Sequence, residues 1–171
     1  MSAWDKVTGA RNTVTYPHHE IHSGSSYVVS DVQNVDTTTM QWMITVPNVT
    51  KWPHMVFAFE ANGEMQIVVK EGADRNGTNL LSAYNRNRNS TNRAGVIIHR
   101  AASGGTTDGA TTLFSLRGGS TNVAGKTISG GSARDTNEWI LMQNTKYIVT
   151  VTTYANIYVS AIFDWYEHTN N

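Results

Sequence analysis

The chain has 171 residues, a formal net charge of zero and only 15% charged residues. That suits one domain with a sizeable core and provides no basic excess for nucleic acid or a membrane surface. There is no cysteine, which excludes a disulfide framework and a thiolate metal site; 22 threonines and 16 asparagines supply the polarity instead, a strand- and turn-forming profile common among extracellular and virion β proteins.

Residues 1–26 read as an extended arm, because Gly9, Pro17, Gly24 and a histidine-rich patch interrupt any sustained period. The start, Met1-Ser2-Ala3-Trp4-Asp5-Lys6, carries no apolar leader. No stretch approaches the ~20 apolar residues of a membrane span. The expectation is a soluble protein that does not use the secretory route. Residues 27–171 are expected to form a single β-sandwich domain.

Tyr27–Gln33 predicts a short strand. Thr38–Val46 alternates, with Met40, Trp42, Ile44 and Val46 on one face, and Pro47-Asn48 stops it. Met55, Phe57 and Phe59 are in phase over His54–Glu60. Asn62-Gly63 carries the signature of a two-residue hairpin, with Glu64–Glu71 returning through Met65, Ile67 and Val69. Leu80–Tyr84, Gly95–Arg100 and Thr111–Leu116 read as short strands, the first two flanking the loop 85–93. Residues 117–137 are rich in Gly, Ser and Thr, with Val123 and Ile128 as the only large apolar residues, and read as a long loop. Glu138–Met142 is a further short strand.

The clearest signal follows. Tyr147, Val149 and Val151 alternate with Thr150 and Thr152. Then Ile157, Val159, Ala161, Phe163 and Trp165 share one face, opposite Tyr158, Ser160, Ile162, Asp164 and Tyr166. The short joint Tyr154-Ala155-Asn156 predicts a hairpin between these two strands. No segment offers ten residues of helical period. Eight to ten short strands at this spacing predict an all-β protein, an antiparallel β-sandwich, jelly-roll-like, with an extended N-terminal arm.

Candidate chemistry is sparse. On a strand, His18, Glu20 and His22 would project from one face, as a metal site requires, but no fourth ligand is visible. The plainer reading is an arm that packs on a neighbour. Arg86, Arg88 and Arg93 lie in an asparagine-rich loop and suit bidentate pairing with a partner's carboxylates; the plainer reading is a solvated loop. The carboxylates Asp31, Glu60, Glu64, Glu71, Asp164 and Glu167 sit at strand ends and turns and do not declare an acid pair. No nucleophile elbow is present. Trp42 and Trp165 fall in phase with the core, and Trp4 and Trp52 are the surface candidates. The partner-contact candidates are therefore Trp4, His18, His22, Arg86, Arg88 and Arg93, with no catalytic, cofactor or metal residue assigned.

Taken in order, His18-His19-Glu20-Ile21-His22-Ser23-Gly24-Ser25-Ser26-Tyr27, Val46-Pro47-Asn48, Trp52-Pro53-His54-Met55, Val69-Lys70-Glu71-Gly72-Ala73 and Tyr84-Asn85-Arg86-Asn87-Arg88-Asn89-Ser90 resemble the small β-sandwich proteins that decorate or cement tailed-bacteriophage capsids. The likeness runs over most of residues 18–166. It implies a non-enzymatic virion protein, a homotrimer on local three-fold axes of the outer capsid surface, bridging major capsid proteins and made in the host cytoplasm. It implies no cofactor, and it assigns no capsid-facing residues; with the neutral charge balance, no nucleic acid, membrane or small-molecule substrate is expected as a partner. The competing expectation is a carbohydrate- or receptor-binding module of a phage fibre; a glycan-cleaving enzyme ranks third.

Overall fold

The computed structural model describes residues 16–119, 128–129 and 137–169. These form an all-β sandwich of two antiparallel sheets with one short helix. The helix α1 spans Tyr16–Ser23, and the strands are β1 Ser26–Asp36, β2 Thr39–Val46, β3 Lys51–Ala61, β4 Met65–Glu71, β5 Asn76–Leu80 and β6 Tyr84–Asn85. They continue with β7 Ile97–Ser103, β8 Thr111–Gly118, β9 Ile128–Ser129, β10 Trp139–Ile140, β11 Thr145–Thr153 and β12 Asn156–Thr169. Sheet 1 has the order β10-β3-β12-β1-β6, with β9 also pairing β3; sheet 2 has the order β5-β7-β2-β11-β4-β8.

Two predicted hairpins are corrected. β11 and β12 lie in different sheets, as do β3 and β4, so Tyr154-Ala155-Asn156 and Asn62-Gly63 are arches across the core. A type I′ hairpin turn needs positive φ at both central residues, and neither Asn62 nor Gly63 has it. Instead Asn62 Oδ1 accepts from the Tyr158 N–H at 2.8 Å. Gly63 backs onto Ile157, where an added Cβ would come within 2.6 Å of Cγ2. Among the described strands, no two consecutive in the chain pair with each other.

The face assignments hold. Trp42, Ile44, Met55, Phe57, Phe59, Met65, Ile67, Val69, Tyr147, Val149, Val151, Val159, Phe163 and Trp165 all join one buried cluster between the sheets. Phe163 meets Phe57 and Phe59 edge-on, at 6.2 and 6.1 Å between ring centroids. Burying such a side chain contributes about 1.5–3 kcal/mol, and from the facing sheet Trp42 meets Phe163 at 5.9 Å between ring centroids.

Part of the segment read as an extended arm is helical. α1 has Pro17 in its first turn, where no intrahelical N–H is needed. It ends at Gly24, whose φ of 73° is left-handed. The Gly24 N–H donates to the Ile21 carbonyl and the Ser25 N–H to the Glu20 carbonyl, the paired bonds of a Schellman cap. Glu20 is buried, so the helix is seated on the sandwich. Residues 1–15, including Trp4, lie outside the described residues.

Candidate functional site

The outer faces of the two sheets differ. On sheet 2, Met43 and Ile148 point outward yet are buried, and loops are tied across this face. The Gln41 amide donates to Asp108 Oδ2 at 2.9 Å, Asp108 pairs with Arg75, and Lys146 Nζ donates to the Arg75 carbonyl at 2.7 Å. Among the described residues, sheet 1 carries no comparable cover over its middle. Register places Tyr84 beside Val28 and Val28 beside Asp164, Ile162 between Ser30 and Ala58, Val32 beside Ser160 and Asn34 beside Tyr158. The result is a connected face bearing Val32, Tyr84, Tyr158 and Ile162, exposed at 59%, 56%, 58% and 41%. β12 is thus apolar on both sides: Val159, Ala161 and Phe163 inward, Tyr158 and Ile162 outward.

The arginine loop borders this face. Arg86 Nη2 reaches Asp164 Oδ2 at 2.6 Å, and Arg88 stands over the Tyr84 ring at 5.4 Å. Arg86 is therefore engaged within its own chain. The asparagines shape the loop: buried Asn85 donates to the Gly24 carbonyl at 2.8 Å and accepts from the Asn87 N–H, while Asn87 donates to the His22 carbonyl. Side chains of this kind replace a backbone turn with their own hydrogen bonds and here clamp the loop to the end of α1. Arg93 is exposed and contributes its carbonyl to the Tyr27 hydroxyl at 3.0 Å.

His18 and His22 are one helical turn apart, not on a strand, and their Nε2 atoms lie 2.9 Å apart. Glu20 faces inward, away from them. No group of three or more His, Asp or Glu among the described residues is arranged to hold a metal ion. No helix among them is long and apolar enough to cross a membrane.

Two buried carboxylates hold the sandwich at its open sides. Asp31 projects inward from β1 and accepts from Trp42 Nε1, from Gln33 Nε2 and from Arg100 Nε and Nη2. Burial pushes its carboxyl up, but the bonds from Arg100, Trp42 and Gln33, with the Arg100 charge, outweigh that and hold it below the ordinary 3.8. Glu167 accepts from the N–H groups of Gly95 and Val96 and from Trp165 Nε1, pinning the stretch before β7 to the end of β12. Placed at strand ends and turns by the sequence, both are instead buried in the sandwich; their inward parity on β1 and β12 was the signal for burial.

A third cluster sits where α1, β3, β10 and β12 converge. His54 Nδ1 and the Tyr166 hydroxyl each lie 2.8 Å from Glu138 Oε1. The His54 ring stacks on Tyr166 and lies 4.4 Å from that of His168. Burial, then the nearby His54, lowers the His168 pKa below 6.5, against the pull of Glu20 and Glu138.

A cleft of about 610 Å³ lies beside the Asp31–Arg100 pair, between the far end of β1, the start of β2 and the overhanging β7. Comparison with models of known families, with curated proteins and with solved structures finds no match to this chain.

Proposed function

We propose that this chain is a virion structural protein that decorates and stabilises a tailed-phage capsid, assembling as a homotrimer that binds the major capsid protein. The observation that supports this reading is the outer face of sheet 1. Exposed Val32, Tyr84, Tyr158 and Ile162 form one patch running from the edge strand β6 to the central β12, while loops are tied across the equivalent face of sheet 2. Connected apolar faces with aromatic residues and a charged rim are the anatomy of a protein contact. Arg86, Arg88 and Asp164 supply such a rim. The strand order also supports the jelly-roll form: β1-β12-β3-β10 faces β2-β11-β4-β8, and the chain changes sheet at each of the first three steps.

A shell protein of this kind acts through many copies, each tether working at high effective concentration. Light scattering on Ile162→Glu/Tyr158→Ser tests the reading. The native chain is expected at three times the protomer mass at micromolar concentration and to sediment with capsids. The double variant is expected at protomer mass with an unchanged melting curve. A native protomer that neither self-associates nor sediments with capsids would refute the proposal.

A further inference from the structure

Sheet 2 extends two strands beyond β2, through β7 to β5, whereas beyond β1 sheet 1 has only β6, paired at Tyr27 and Val28. On the edge away from β12, the far half of β1 therefore has no strand beside it among the described residues, and β7 overhangs that edge. Arg100 spans this mouth from β7 to Asp31 on β1, with 40% of its side chain still exposed. The floor is partly apolar, with Met40 and Ala102 among the lining residues.

The polar groups left at this mouth are matched in kind. Arg100 spends Nε and Nη2 on Asp31, so Nη1 keeps two donors that no described residue takes. Gln33 spends its Nε2 on Asp31 and on the Val32 carbonyl. Its Oε1 is left as an oriented acceptor. Asn34 and Asn79 add two exposed amides, each with donors and an acceptor. Asn79 is held at a φ of 57°. Of the fixed charges, Asp31 and Asp36 are negative and Arg100 positive, so the cleft has no excess positive charge to attract an anion. A fixed guanidinium, an oriented acceptor and paired amides, with no net positive charge, fit a ligand whose groups donate and accept together, as vicinal hydroxyls do. The Asp31 clamp sets Arg100 and Gln33 before any ligand arrives, which lowers the ordering cost of binding.

We propose that this cleft binds a neutral saccharide, its hydroxyls held by Arg100 Nη1, Gln33 Oε1 and the amides of Asn34 and Asn79. The site borders the outer face of sheet 1, where Asn34 lies beside Tyr158, but it does not rest on the capsid reading.

The test is a backbone-amide NMR titration of the whole chain with the methyl glycosides of glucose, galactose, N-acetylglucosamine and glucuronic acid. At least one neutral glycoside is expected to move the amides of residues 33–41, 79 and 100–102 in a saturable way, more strongly than the glucuronide does. Asn34→Ala/Asn79→Gly is expected to weaken that binding roughly tenfold, since two hydrogen bonds are lost. The glycine tolerates the left-handed backbone. Arg100→Lys keeps a cation for Asp31 but loses the free Nη1, and is expected to weaken binding while leaving the rest of the spectrum in place. Failure of every neutral glycoside to move these amides, tighter binding of the glucuronide, or equal binding by the variants would overturn the proposal.

Discussion

The Trp42 indole N–H donates to Asp31 Oδ2 at 2.9 Å, joining the largest side chain of β2 to a charged group on the facing sheet. Trp165 repeats the device on Glu167 at 2.8 Å. Both core tryptophans thus satisfy their one polar atom on an inward carboxylate, and each carboxylate has further donors. A buried charge met by several donors is stable; the same charge stripped of them is costly.

Removing Asp31 should therefore be severe. Asp31→Ala leaves the Trp42 N–H unpaired in the core and frees Arg100, with an expected loss of about 2–4 kcal/mol. Asp31→Asn retains an acceptor for Trp42 and should lose less. Urea unfolding of both reads the difference, and equal midpoints for the alanine variant and the parent would contradict the role assigned to this residue.

Acid should destabilise the fold in two stages. His168 has a folded pKa below its ordinary 6.5, so as pH drops past 6.5 the unfolded chain takes up the proton first and stability falls. The groups facing it are His54, Glu20 and Glu138. Asp31 is held below its ordinary 3.8, so its contribution is present above that value and is lost as pH falls through the folded pKa. Melting temperature against pH should show both declines. His168→Gln should flatten the first and leave the second.

Gly24→Ala is expected to cost about 1–2 kcal/mol for its left-handed backbone alone. The added Cβ would also come within 2.3 Å of Ser90 Oγ, pressing the asparagine loop away from the end of α1. Thermal unfolding gives the magnitude, and amide exchange of Asn85 and Asn87 should report the loosened clamp.

Arg86→Ala should cost only about 0.2–1 kcal/mol, because its pair with Asp164 is partly exposed, at 37% and 23%. Changing Arg86, Arg88 and Arg93 together should lower capsid occupancy without unfolding the domain, and the deficit should grow as salt falls. Superimposable occupancy curves for variant and parent would remove the loop from the contact.

Alternation read the strands well because burial on one face is written residue by residue: Met55, Phe57 and Phe59 on β3 and the five inward residues of β12 lie where parity puts them. Pairing was not legible. Both sheets bury toward one core, so Tyr147 on β11 and Ile157 on β12 point inward whether their strands lie side by side or face to face. The helix was missed because eight residues are too few for a period, although Pro17 and Gly24 were its start and stop signals. The cleft was hidden for a different reason. Arg100 and Asp31 are 69 positions apart, and only the overhang of β7 brings them together.

The arched connections make this a chain that cannot fold piecemeal. Ser26 meets Tyr166, 140 positions later, and β1 and β3 both wait for β12 before either gains a partner along its length. Such long-range closure places folding in the slow millisecond-to-second range. During synthesis everything before residue 156 emerges first, leaving Val29, Phe57 and Phe59 without the strand they pack beside, an exposure that favours aggregation until β12 arrives.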